Sequence, residues 1–237
     1  MAGHSKWANI RFKKEKADAK RGKIFSRVAK EIISAVKLGG SDPKNNPRLK
    51  SAIQKAKSVN MPNEIIDRNV KKGGSSDQSA YEELTYEIYG FGGVGMLCEI
   101  MTDNRNRIAS EVRVVLNKKG GSLAGAGAVA YNFERKGVIQ IAKEHALEDE
   151  LFSVVADVGA EDFDQDEELF FITTDPQRFF PVKEAVQSLG FSCDAASLEM
   201  VPKVTVDCTE KDKFANLALI EALEAIDDVD AVYHNMR

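Results

Sequence analysis

The chain has 237 residues, 43% hydrophobic and 30% charged, which fits a globular protein with room for a real core in one or two domains. Its formal net charge is −4, from 33 Lys+Arg against 37 Asp+Glu, and a whole-chain balance of that sign would normally exclude nucleic acid as a partner. The distribution reopens the question: residues 1–75 carry 19 Lys/Arg and 6 Asp/Glu, a net of +13, whereas residues 76–237 carry 14 against 31, a net of −17.

In chain order, residues 17–38 read as an amphipathic helix, with Ile24, Phe25, Val28, Ala29, Ile32, Ala35 and Val36 at the spacings of one helical face and Gly39-Gly40 as its stop. Asp42-Pro43 and Asn46-Pro47 each pair a good N-cap with proline at the first helical position. The second pair starts a helix with Leu49, Ala52, Ile53 and Ala56 inward, closed by Asn60. Pro62 opens a third, holding Ile65, Ile66 and Val70 and stopped by Gly73-Gly74. Residues 1–76 are thus expected to form a small basic helical domain.

Beyond the polar stretch Ser75–Ser79, Thr85–Tyr89 and Val94–Met101 read as strands joined by a hairpin at Gly90-Phe91-Gly92-Gly93. A helix is expected from about Arg105 to Asn117, stopped by Gly120-Gly121, and a returning strand at Val129–Phe133. From Gly137 the order is strand (Val138–Ala142), helix (Leu147–Val158), strand near Glu161–Phe163, strand (Leu169–Thr173), helix (Pro176–Ser188) and strand (Phe191–Met200). That βαββαβ order is ferredoxin-like. A strand at Val204–Cys208, a helix at Thr209–Ile226 and a strand at Val229–Tyr233 complete the chain. The expected fold class is α+β: an N-terminal three-helix domain, then two α/β domains of ferredoxin-like character. The tail elements complete the unit begun at Thr85, so a discontinuous middle domain (80–134 plus 204–237) is expected, with 135–203 inserted into it.

Several chemistries find little to build on. Cys98, Cys193 and Cys208 are widely spaced and cannot all pair, so neither a disulfide framework nor a C-x-x-C site is present. The glycine runs lack both the P-loop and the G-x-G-x-x-G spacing. His4, His145 and His234 are too scattered for a metal site, and no G-x-S-x-G elbow occurs. The acids Glu161, Asp162, Asp164, Asp166, Glu167 and Glu168 lack an EF-hand register and read as a solvated turn. No catalytic residue, cofactor, metal or small-molecule substrate is expected, and the chain reads as non-enzymatic. The opening residues lack the apolar stretch of a secretory signal and no run is long enough to span a membrane, so a cytoplasmic, reducing location is expected.

The basic segment carries the stronger signal. Lys20, Lys23, Arg27, Lys30 and Lys37 recur at intervals of 3, 4, 3 and 7. At roughly 100° per residue they fill an arc of about 100°, nearly opposite the Ile24/Phe25/Val28/Ile32 face. Lys6, Arg11, Lys13, Lys14 and Lys16 form an arm interleaved with Trp7 and Phe12, and Lys50, Lys55 and Lys57 add to the set. Clustered cations suit phosphates, and cations mixed with aromatics suit unpaired bases. Such contacts position a nucleic acid without reading its sequence. Lysine on an outward helix face also serves plain solubility. Arg105 and Arg107 enter the Ile108 helix at its positive end; either Asp103 offsets them as N-cap, or they meet an external anion.

The opening Met1-Ala2-Gly3-His4-Ser5-Lys6-Trp7, then Lys20-Arg21-Gly22-Lys23-Ile24-Phe25, Gly39-Gly40-Ser41-Asp42-Pro43, Asn60-Met61-Pro62, Tyr86-Glu87-Ile88-Tyr89-Gly90 and Thr102-Asp103-Asn104-Arg105-Asn106-Arg107 resemble the YebC family, in order across essentially the whole chain. The resemblance implies a helical domain and two α/β domains, one inserted in the other. It also implies a DNA-binding transcriptional regulator of the cytoplasm, or else a translation factor acting at the ribosome, as mitochondrial translational activators of the family do. It implies no catalytic residues and adds Arg21 to the basic set. The chain departs from the family pattern at Phe91, where proline is usual, in the Gly/Ala-rich stretch 122–129 and at Arg11-Phe12-Lys13-Lys14.

Two partners follow. Duplex DNA is one, although no helix carries an evident base-reading set of Asn, Gln and Arg. Ribosomal RNA is the other, with the acidic domains repelled from further RNA. A scaffold that meets an acidic protein is a third class, less favoured by the cation–aromatic arm.

Overall fold

The computed structural model describes residues 17–75, 81–191 and 195–237, with side chains from residue 22 onward except that of Ser58. Three helices come first: α1 (Ala17–Gly39), α2 (Pro47–Ser58) and α3 (Asn63–Gly73). Their shared core is Val28, Ile32, Ala35 and Val36 of α1 against Leu49, Ala52, Ala56, Met61 and Ile66. Asn46, 4% exposed, holds the first corner. Its Oδ1 accepts from Leu49 N at 3.0 Å to cap α2, while its Nδ2 donates to Ala35 O and Gly40 O at the end of α1. Asp42-Pro43 forms a turn rather than a helix start: Lys44 N donates to Asp42 Oδ1 at 2.9 Å and Asn45 N to Asp42 O at 3.1 Å. A Cβ on Gly73 would lie 2.8 Å from Val36 Cβ, so only glycine allows α3 this close to α1.

The first sheet has the order β3-β1-β2-β8, from β1 (Glu82–Tyr89), β2 (Gly95–Thr102), β3 (Ser122–Leu123) and β8 (Val229–His234). Gly92 (φ 65°) and Gly93 (φ 79°) take the left-handed conformation that the β1–β2 hairpin requires. Helices α4 (Arg105–Lys119) and α7 (Glu210–Glu224) cover one face, burying Met96, Cys98 and Ile100 with Ile108, Val112, Leu219 and Leu223. Thr209 caps α7 through Asp212 N. Alternate residues of β2 face the other way, toward α1 and the second sheet: Leu97 joins Val129, Phe133 and Tyr233 in a separate cluster.

The second sheet is β5-β6-β4-β7, from β4 (Phe133–Ala142), β5 (Ala160–Gln165), β6 (Leu169–Thr174) and β7 (Ala195–Pro202), all antiparallel. With α5 (Glu148–Val158) and α6 (Phe179–Ser188) on one face, this is the ferredoxin-like arrangement. The fold is therefore α+β: helices first, then two four-stranded antiparallel sheets.

Two expected strands are absent. Val129–Phe133 does not return to the first sheet; Ala130–Asn132 is a 3₁₀ turn and Phe133 begins β4. The cause is Glu87, whose carboxylate accepts from the N–H groups of Gly127, Val129 and Ala130 at 2.6–2.8 Å and leaves them nothing to donate to a strand. The third strand is instead the short Ser122–Leu123, paired with Ile88 and Tyr89. Val204–Cys208 is not a strand either, apart from a bridge between Val206 and Met236. Asn132 captures that segment: its side chain donates to Val204 O at 2.8 Å and accepts from Val204 N at 3.0 Å. The two crossings between the sheets are thereby tied side by side.

Candidate nucleic-acid interface

The cations of the basic segment fall into three sets. Lys6, Trp7, Arg11, Lys13 and Lys14 lie outside the described residues, and Lys20 and Arg21 lie on α1 with side chains outside them.

The second set is docked on the first sheet. Lys23 donates to the backbone oxygens of Glu224 and Val229. Arg27 lies 3.4 Å from Glu99, 3.6 Å from Asp230 and 3.3 Å from Glu31. Lys30 donates to Asp228 Oδ1 at 3.0 Å and to Met101 O at 2.9 Å. Only 12% of the Lys30 side chain and 24% of that of Arg27 remain exposed. The stripe thus faces protein, whereas Ile24, expected inward, is 44% exposed. Helical periodicity finds a face but cannot tell which of two faces a second domain covers.

Asp228 collects this joint. It accepts from Lys30, from Thr102 Oγ1 at 2.8 Å and from Arg107. Burial would raise its pKa, but those hydrogen bonds hold it below the ordinary carboxylate range. Asp230 behaves oppositely: burial outweighs Arg27 and Lys30 and pushes it up to about 6. Burial lowers the pKa of Lys23. For Arg27 burial works the same way, yet Asp230 and Glu99 raise it overall. Glu99 also receives Arg135 at 3.7 Å, so residues from all three parts of the molecule meet there.

The Thr102–Arg107 motif is satisfied within the chain. Asn104, not Asp103, is the N-cap of α4, its Oδ1 accepting from Asn106 N and Arg107 N at 3.1 and 3.0 Å. Asp103 and Asp228 both accept from Arg107, and Glu82 accepts from Arg105. Those acids answer the two arginines at the positive end of the helix.

The third set faces solvent. Lys50 and Lys57 stand a heptad apart on the exposed side of α2. Arg68, Lys71 and Lys72 share the exposed side of α3, and Lys44 adds to them from the turn before α2. Among the described residues none of these six is within ion-pair distance of an acid. Lys55 instead pairs with Glu31 at 2.6 Å, and Lys37 donates to Ser75 O. Sequence reasoning passed over Arg68, Lys71 and Lys72, although their helical spacing was a usable signal.

Among the described residues no group of three or more His, Cys, Asp and Glu could hold a metal ion, and no helix is long and apolar enough to cross a membrane. The Cys98 thiol is buried and pushed up to about 12, which leaves it unreactive at neutral pH.

Fold and charge together define a basic helical unit clamped to an acidic α+β body. Residues 5–76 match the family model of the TACO1/YebC protein N-terminal domain, and residues 81–236 match that of the TACO1/YebC second and third domain. The chain belongs to the TACO1/YebC family. A probable transcriptional regulatory protein of Protochlamydia amoebophila is 60% identical over all of this chain and 97% of its own length, and one of Chlamydia felis is 58% identical over the full length of both. A crystal structure of a conserved hypothetical protein from Aquifex aeolicus has a TM-score of 0.80 and 44% identity, covering 98% of this chain and 97% of that one.

Proposed function

We propose that the protein is a non-enzymatic, cytoplasmic regulator of gene expression that binds nucleic acid, duplex DNA in the first instance, through its basic helical domain. The reading treats 1–76, 80–134 with 204–237, and 135–203 as three domains. The single observation that carries it is the charge division: a segment of net +13 in which Lys50, Lys57, Arg68, Lys71 and Lys72 have no acidic partner among the described residues, joined to a body of net −17. An acidic body is repelled by phosphate, so it orients the molecule with the helical end toward the polymer. The names carried by the relatives favour transcription over other regulatory roles.

Within this reading Lys50, Lys57, Arg68, Lys71 and Lys72 contact phosphates, together with Lys6, Arg11, Lys13, Lys14, Lys20 and Arg21, and Trp7 stacks on exposed bases. Arg105 and Arg107, already paired, are assigned to positioning the domains. The test is a competition at physiological salt between labelled duplex DNA and purified ribosomes for the same protein. Retention on duplex supports the proposal. Retention on ribosomes, with duplex binding lost as salt rises, would move the target to ribosomal RNA.

A further inference from the structure

We infer that the acidic row of Glu99 on β2 and Asp228 in the turn before β8 is an autoinhibitory latch, which masks a second phosphate-binding stripe (Lys23, Arg27 and Lys30 of α1) until nucleic acid displaces it. The inference rests on the proposed nucleic-acid function and concerns how that function is regulated.

Three observations support it. The stripe has the spacing of a phosphate-binding face, yet its partners are Glu99, Asp228, Asp230 and the backbone oxygens of Met101, Glu224 and Val229. Carboxylate and carbonyl oxygens set against the stripe present it with what a phosphate row would: oxygens of negative charge or partial charge. Second, the joint is polar. The core of the helical unit and the core between α4, α7 and the first sheet share no residue, so separating the two leaves both cores whole. Polar joints of this kind are the ones along which domains move. Third, the ion pairs of Arg27 are long, at 3.3–3.6 Å, where a well-made charged hydrogen bond is about 2.7–2.9 Å. Arg27, in the middle of the stripe, is therefore held loosely enough for a denser anion to compete, while Lys23 and Lys30 on either side are held more closely.

The tether is short. Five residues separate Ser75 from Tyr81, six steps of chain whose reach is at most roughly 20 Å, so the row stays at high effective concentration beside the stripe. Nucleic acid therefore binds first through α2 and α3, and the stripe joins when the latch opens. Masking scales the apparent affinity of the stripe by the fraction of molecules that are open.

Asp230 sets the sign of the test. It is faced by Arg27, Lys30 and Glu31 from α1 and by Glu99 from β2, and burial disfavours its charge in the closed form. Neutralising Asp230 therefore tightens the latch, while neutralising Glu99 and Asp228 loosens it. Removing negative charge alone would raise affinity in every variant.

The experiment measures binding of a duplex of about 30 base pairs to the full chain across a salt series at about pH 7.5, for wild type, Glu99→Gln/Asp228→Asn and Asp230→Asn. The expected result is binding about tenfold tighter for the double variant, with a log–log salt slope steeper by about 2–3 as three more cations meet phosphate. Asp230→Asn should bind severalfold more weakly than wild type. Equal gains in all variants, or unchanged affinity and slope in the double variant, would overturn the latch while leaving the function intact. No binding by any of the three proteins would overturn the function itself. A single cooperative unfolding transition verifies that each variant is folded, and the opposite sign at Asp230 keeps the test decisive if the double variant is not.

Discussion

Lys30 of α1 donates to Asp228 of the α7–β8 turn at 3.0 Å, across 198 residues of sequence. That bond, with those of Thr102 and Arg107 to the same carboxylate, makes Asp228 the point at which helical unit, Thr102–Arg107 motif and last strand are fastened together. Asp228→Ala takes one acceptor each from Lys30, Arg107 and the Thr102 hydroxyl, which keep Met101 O, Asp103 and Asn104 O respectively, and should cost about 1–3 kcal/mol in urea unfolding near neutral pH. Its folded pKa lies below the unfolded value, so the carboxylate's contribution is present above about pH 4 and is lost as pH falls through the lowered value. The gap between variant and wild type should therefore narrow in acid.

Asp230 predicts the reverse. Its unfolded pKa is near 3.8 and its folded pKa is about 6, so folding takes up a proton in that window and stability from this group declines as pH rises through it. Asp230→Asn should raise stability on the order of 1–2 kcal/mol at about pH 7.5 and be neutral near pH 4. Urea midpoints at the two pH values measure this directly.

The second sheet has its own sensitive point. A Cβ on Gly137 would lie 2.4 Å from Thr174 Oγ1 and 2.6 Å from Phe179 Cδ2, in the middle of β4. Gly137→Ala should destabilise by about 1–3 kcal/mol through overpacking. Thermal unfolding should show the loss, and duplex binding should be unchanged at temperatures where the protein stays folded.

Asn216 of α7 is fully buried and holds the hairpin. It accepts from Phe91 N at 2.8 Å and donates to Phe91 O at 3.0 Å. Asn216→Ala leaves Phe91 N unpaired, while Phe91 O keeps Val94 N at 3.3 Å, and should cost about 1–3 kcal/mol, with hydrogen exchange rising first at residues 90–94.

Most elements were legible because they are local. The Asn46-Pro47 cap, the glycine stops at 39–40, 73–74 and 120–121, and the alternating strands of the hairpin each declare themselves within a few residues. The ferredoxin-like order followed from element sequence alone. What failed was decided at a distance. The Glu87 carboxylate turned an apparent strand at 129–133 into a 3₁₀ turn, and Asn132 holds 204–208 as an irregular segment with a single bridge. The stripe of α1 was correctly seen as cationic and on one face, but its acidic partners lie about 70 to 200 residues away, where periodicity has no reach. Arg68, Lys71 and Lys72 are exposed on a short helix whose polar side looked like ordinary solvation.

The central claim is that the helical domain holds nucleic acid through its unpaired cations. The most direct measurement is the salt dependence of duplex affinity for wild type beside Lys50→Glu/Lys57→Glu/Lys71→Glu/Lys72→Glu, with ribosome retention followed in parallel. The account predicts a loss of more than tenfold and a salt slope shallower by about 3–4, because four phosphate contacts are gone. Unchanged binding of the variant to both duplex and ribosomes would contradict it.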